Sequence, residues 1–312
     1  MYVQVNLHVD SHAEFSSGVK ECRERRPLCH HQTFPVIGWR PHLMHQNPKS
    51  EFPELAGENL EIWNINAAWW DDRIGDGNDF QTYLIEPATE RLLAISPGDQ
   101  ILDIACGAGR FARRMAELGG RVIAIDQSAA FIERARTRTS KQSRTEYHIA
   151  DAANRDRMLT FGVGRFDKAV CTMALMDLPQ IEPLLQVLKQ LLKPTGTFVF
   201  SVMHPCFHTP AIQRFTEMYE EESGRPTVRS GVKVFSYLTP FARKTEGILG
   251  QPKPQLYFHR PLHVLLQSCF DAGFVIDGWE EPALPNPEDR KPGVRWSDMT
   301  EIPPILVVRA RA

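Results

Sequence analysis

One stretch of the chain can do chemistry by backbone geometry alone: Asp103-Ile104-Ala105-Cys106-Gly107-Ala108-Gly109-Arg110-Phe111. An apolar run leads into two glycines, and a helical pattern follows. Gly107 and Gly109 let the chain turn sharply and let a ligand approach the main chain. With Ala112 the stretch also satisfies Gly-x-Gly-x-x-Ala, a dinucleotide fingerprint, so a nicotinamide-dependent oxidoreductase is one reading. Asp126 lies nineteen residues beyond Gly107, at the end of the next apolar run. A carboxylate there can accept two hydrogen bonds from the ribose hydroxyls of an adenosine, which suits NAD and S-adenosylmethionine equally. Asp151, followed by Ala152, separates the two. A carboxylate with a backbone amide beside it can take the exocyclic amine and a ring nitrogen of adenine.

These residues need elements to hold them. Ile101–Ala105, Arg121–Ile125, Glu146–Ile149, Lys168–Cys171 and Thr197–Val202 are short apolar runs of strand type. Between them Arg110–Leu118, a helix capped by Ser128, and Leu184–Leu192 carry apolar residues at helical spacing. Leu262–Phe270 is a further helix, and Phe274–Ile276 and Ile305–Val308 are further strands. Strands alternating with amphipathic helices predict a doubly wound, mostly parallel sheet covered on both faces. Upstream, 63–70 carries three tryptophans, and a helix fits Gln81–Ala94 with a kink at Pro87. About sixty residues separate Val202 from Leu262 where a few would suffice. Their aromatic residues predict a packed insertion over the site.

Taken in order and spacing, the Asp103–Gly109 loop, Asp126, the Asp151-Ala152 pair, the Phe166-Asp167 strand and the Leu192-Lys193-Pro194-Thr195-Gly196 turn resemble the class I S-adenosylmethionine-dependent methyltransferases. Residues 95–205 carry the likeness well, and 260–312 more loosely. The sequence departs from the family pattern at Cys106 and Thr195. The resemblance implies a seven-stranded sheet with the last strand antiparallel. It implies S-adenosylmethionine at the carboxyl ends of the first strands, with Ala105, Gly107 and Gly109 on the methionine part, Asp126 on the ribose and Gln127 beside the adenosine. Asp151 and Ala152 would hold adenine, and Thr172 and Met173 would lie by the sulfonium. Trp69, Trp70 and Tyr83 could close over the cofactor.

Methyl transfer is an in-line displacement, so alignment in a dry pocket is the main requirement. An acceptor that must lose a proton also needs a base on the carboxyl edge of the sheet. His204, Asp177 and His259 are the candidates by position. The resulting domain plan has an extension at 1–50, a helical cap at 51–95 and a methyltransferase domain at 96–312, with 203–258 as its lid. The expected activity is methyl transfer to a small-molecule acceptor. A silent cofactor-binding module is a further alternative.

Composition narrows the partners. The chain has 312 residues, 42% hydrophobic and 24% charged, enough apolar material for a core. Lys+Arg is 36 against Asp+Glu 38, a net charge of -2, so no basic excess points to nucleic acid. No apolar run is long enough to cross a membrane. The N-terminus lacks the apolar run of a secretory signal, and six scattered cysteines read as reduced thiols in a cytoplasmic protein. The first fifty residues hold six of the eleven histidines and two cysteines, but Cys22, Cys29, His30 and His31 match no usual zinc spacing, so no metal is expected. Met44 is a possible natural start.

Overall fold

The computed structural model describes residues 49–75, 77–285 and 295–312. The extension with its histidines, its two cysteines and Met44 lies outside them. In chain order the described elements begin with helix α1 (Ala56–Ile74), a π-helical turn (Phe80–Ile85) and α2 (Glu86–Leu93). Then come β1 (Gln100–Ile104), α3 (Arg110–Glu117), β2 (Arg121–Asp126), α4 (Ala129–Arg138), β3 (Thr145–Ile149) and α5 (Arg155–Leu159). β4 (Phe166–Thr172), α6 (Glu182–Leu191) and β5 (Leu192–Met203) follow. The insertion supplies β6 (Ile212–Glu220), β7 (Pro226–Val234), β8 (Phe241–Thr245) and β9 (Gln255–His259). The chain closes with α7 (Leu262–Asp271), β10 (Val275–Glu280) and β11 (Ile305–Arg311).

Seven strands form one sheet in the order β10-β11-β5-β4-β1-β2-β3. β1, β2, β3, β4 and β5 pair in parallel, and β11 runs antiparallel to both β5 and β10. The expected sheet is therefore present, with the final strand as the reversed one. Side chains alternate between its faces with period two. Leu102, Ile104, Ile123, Ile125, Phe198 and Phe200 enter one core, and Ile101, Val122, Ala124 and Val199 enter the other. Both faces are buried, which is why these strands read as continuous apolar runs.

Two local differences have physical causes. The helix expected from Gln81 is broken: a π-helical turn ends at Ile85, and Pro87 sits in the first turn of α2, where its missing N–H goes unneeded. β5 begins five residues before its apolar stretch, because Leu192 already pairs with Phe166 of β4; its Thr197–Met203 half is zipped to β11 across seven residue pairs. Glu86 and Glu90 on α2 meet Arg110 and Arg114 on α3, each pair two-pronged at 2.6–3.0 Å. The four-residue spacing on both helices makes this a ladder that fixes α2 against α3.

The insertion is two antiparallel hairpins, β6–β7 and β8–β9. β9 is buried along its whole length, with Tyr257 in the main core and Leu256 and Phe258 packed on Ile62 of α1. So the second hairpin belongs to the body of the fold, while β6 and β7 are largely exposed. No helix among the described residues is long and apolar enough to cross a membrane.

Candidate active site

The strand order runs outward from β1 in both directions, so β1 and β4 flank the point where the winding reverses. Ligands in open α/β sheets bind at such a point, beyond the carboxyl ends of the strands. A cavity of about 540 Å³ opens there. Ala105, Gly107, Asp126, Gln127, Asp151, Ala152, Thr172 and Met173 all line it.

The loop after β1 is held by its own hydrogen bonds. Cys106 N–H donates to Ile125 O at 2.9 Å, tying the loop to β2. Gly107 has φ 53° and donates its N–H to Asp126 Oδ2 at 2.9 Å. Asp126 Oδ1 accepts from Ser128 N–H at 2.8 Å. One carboxylate thus joins the glycine loop to the start of α4 and keeps further lone pairs toward the cavity. Ser128 caps α4 by accepting from Phe131 N–H at 3.3 Å, as expected. Gly109 is different. It is buried outside the cavity wall, and a Cβ there would lie 2.4 Å from the Tyr147 hydroxyl. Its smallness serves packing beneath the loop.

Two residues on the wall carry strain. Ala105 has φ 55° and Met173 φ 52°, left-handed values that favour glycine. Met173 is fixed there by its N–H, which donates to Ser201 O at 2.9 Å. Such strain concentrates at ligand-holding sites. Asp151 Oδ1 accepts from Ala153 N–H at 2.9 Å, a turn that presents Ala152 to the cavity.

The buried charges around the glycine loop are acidic. Burial pushes Asp126 up to about 6, against the lowering effect of the two amides. Asp103 lies beneath the loop at 1% exposure; burial and then the Asp126 charge push it up to about 8. Neither Asp103 oxygen has a partner among the described residues.

The three base candidates fare unequally. Asp177 lines the cavity and accepts from Gln255 Nε2 at 3.1 Å. Burial pushes its carboxyl well above the ordinary range, against the lowering effect of the Gln255 hydrogen bond. His204 and His259 do not line the cavity. His204 Nε2 lies 2.8 Å from Glu281, and its Nδ1 accepts from Cys206 N–H at 3.1 Å. His259 Nε2 donates to Tyr237 O at 2.7 Å, and its ring stacks on Phe241 at 4.8 Å. Both are spent on holding the insertion. The wall instead presents His208, which the sequence reading passed over.

Of the aromatic candidates, Trp70 lines the cavity while Trp69 and Tyr83 do not. Trp63, Phe80 and Trp296 line it as well. Trp63 and Trp70 are seven apart on α1, two full turns, so helical spacing pairs them and sets Trp69 aside. Nothing in local pattern marks Phe80, His208 or Trp296, which come from three separate segments. No group of three metal-ligating side chains occurs among the described residues, and Cys106, Cys171, Cys206 and Cys269 are free thiols.

Comparison with known proteins agrees with this geometry. Residues 101–196 match a family model described as a methyltransferase domain. A solved S-adenosylmethionine-dependent methyltransferase from Mesorhizobium loti is 27% identical, with a TM-score of 0.57, over 76% of this chain and 99% of that one. A demethylmenaquinone methyltransferase of Corynebacterium urealyticum is 27% identical over 54% of this chain and 63% of its own length. A 2-phytyl-1,4-naphtoquinone methyltransferase of Trichormus variabilis is 32% identical over 46% of this chain and 64% of its own. The chain thus spans less than two thirds of the length of these curated relatives. Sheet order, loop and matches together show a fold of the class I S-adenosylmethionine-dependent methyltransferase type, with a methyltransferase domain matched at 101–196.

Proposed function

We propose that the protein transfers a methyl group from S-adenosylmethionine to a small molecule. The observation that carries this is Asp126. Its carboxylate is pinned by the amides of Gly107 and Ser128 at the edge of a cavity, with lone pairs left for a diol. The residues also suit the cofactor's charge. A buried carboxylate without partners, Asp103, and a second raised one, Asp126, form an acidic floor that a cationic ligand stabilises. The cavity volume suits a nucleoside cofactor with a small acceptor.

S-adenosylmethionine, when bound, supplies a methyl group already activated on a sulfonium. The chain's residues bind and orient. Asp126 holds the ribose hydroxyls; Asp151 and the Ala152 amide hold the adenine edge, with Gln127 and Phe131 beside it. Ala105 and Gly107 leave the methionine part room against the backbone. Thr172 and Met173, at the end of β4, border the reacting end. Trp63 and Trp70 of α1 cover the site and exclude water, which strengthens every charge interaction inside it. The acceptor faces Met176, Met203, Phe80 and Trp296, an apolar and aromatic wall. Relatives named for quinone substrates support a planar aromatic acceptor. The near-neutral charge and free thiols suit a cytoplasmic enzyme acting on neither nucleic acid nor membrane.

Calorimetric titration with S-adenosylmethionine, S-adenosylhomocysteine and NADH tests the reading. Micromolar binding of the two sulfur nucleosides without NADH is the expected result; binding of NADH alone would overturn it.

A further inference from the structure

Of the histidines among the described residues, the two that sequence position favours, His204 and His259, lie off the cavity wall. His208 is on the wall. Its Nδ1 lies 3.2 Å from Pro304 O. A carbonyl oxygen only accepts, so Nδ1 carries the hydrogen, and Nε2 is left as a bare lone pair. The Nδ1 contact is the one side-chain hydrogen bond of His208 among the described residues. The ring is flanked by aromatic neighbours, tilted 50° to Trp296 at 4.5 Å and 58° to Phe80 at 6.3 Å. The tautomer and the orientation are therefore both set before any acceptor arrives.

The surroundings choose the acceptor's chemistry. Phe80 and Trp296 offer ring faces, and Met203 offers a soft apolar surface, which together fit a planar ring. The Arg214 guanidinium lies 5.6 Å from the Trp296 ring and also lines the cavity. A cation over that ring repels a protonated amine and stabilises negative charge growing on an oxygen.

We infer that His208 Nε2 receives the proton of a phenolic hydroxyl on a planar acceptor seated against Phe80, Met203 and Trp296, which makes His208 a catalytic residue and a phenol the acceptor class. This rests on the methyltransferase reading above. The step balances as follows. The hydroxyl oxygen supplies the electron pair for the new bond to methyl, and the methyl–sulfur pair stays on sulfur. The O–H pair stays on oxygen, and the proton goes to Nε2. One positive charge enters on the sulfonium and one leaves on the imidazolium. Burial holds His208 down at about 4, so it is neutral and ready across the physiological range. A base of low proton affinity is sufficient, because the hydroxyl becomes strongly acidic as its oxygen bonds to carbon.

The test uses the full chain, 1-naphthol as acceptor and benzylamine as the amine control. Two variants are compared with wild type: His208→Asn, whose amide can still donate to Pro304 O but is no base, and His208→Gln. S-adenosylhomocysteine affinity and thermal unfolding are measured on each. The ¹⁵N resonance of His208 Nε2 is followed as 1-naphthol is added to the S-adenosylhomocysteine complex. Expected are a moved Nε2 resonance, methylation of 1-naphthol but not benzylamine, and variants that fold and bind both molecules as wild type does. Their transfer rates should fall on the order of 10²–10⁴-fold. Wild-type rates in His208→Asn would make the residue merely structural and overturn the inference. So would an unmoved Nε2 resonance, or failure of wild type to methylate 1-naphthol. Failure of wild type to bind S-adenosylhomocysteine would instead sink the methyltransferase reading itself.

Discussion

Asp126→Ala separates what the fold needs from what the ligand needs. Burial raises this carboxyl from 3.8 to about 6. By linkage the native state then binds more protons than the unfolded chain between those values, so this group's contribution to stability falls as pH rises from about 4 to about 6. At pH 7.5 the ionised carboxylate costs the fold about 3 kcal/mol. Alanine removes that cost. It also strands two amides: Ser128 N–H is fully buried and loses about 1–3 kcal/mol, and half-buried Gly107 N–H loses less because water can reach it. The two effects nearly cancel, so stability at pH 7.5 should change by no more than about 2 kcal/mol. Cofactor binding has no such compensation. Loss of the ribose partner should weaken S-adenosylhomocysteine by about 1–3 kcal/mol, or roughly 5- to 150-fold. Urea denaturation at pH 4.5, 6 and 7.5 with calorimetry at pH 7.5 reads both quantities. A variant that folds normally and binds S-adenosylhomocysteine as wild type would refute the assignment of Asp126.

Other perturbations test the surroundings. Burial raises the Asp177 carboxyl, so its contribution to stability falls as pH rises, and Asp177→Asn removes that dependence. Wild type should lose stability relative to this variant as pH rises, and denaturation at pH 5, 7 and 9 would show it. Gly109→Ala places a Cβ 2.4–2.8 Å from Tyr147 at φ 73°, and left-handed strain plus overpacking should remove about 2–5 kcal/mol of unfolding free energy. A loss under about 1 kcal/mol would deny the close approach. Ala105→Gly relieves φ 55°, a gain of about 1–2 kcal/mol set against about 0.4–1 for the looser unfolded chain; the urea midpoint should rise slightly and must not fall. Arg260→Met strips hydrogen bonds from the carbonyls of Ser50, Leu175, Leu178 and Pro179 and leaves Glu51 without its cation. A loss of about 3–5 kcal/mol is expected, measured by the same unfolding curves.

The alternation of apolar runs and amphipathic helices determined the sheet, because strands buried on both faces must be apolar throughout and their crossover helices must be apolar on one side. The loop from Asp103 to Gly109, Asp126 and the Asp151-Ala152 pair were legible because each sits within a few residues of a strand end. In a parallel sheet all those ends lie on one edge. Gly109 was legible as a glycine but not as a packing glycine, since Tyr147 approaches it from thirty-eight residues away. The acceptor side had no local signature. Phe80 comes from a π-helical turn, His208 from the loop after β5 and Trp296 from the approach to β11, and only the folded chain brings them together. Position at a strand end favoured His204, yet its ring turns to Glu281 and Cys206, while His208, four residues on, reaches the cavity wall. Which of two nearby histidines faces a ligand depends on partners distant in sequence. Tertiary structure decides that, because sequence spacing carries no information about a hydrogen bond to Pro304, ninety-six residues downstream.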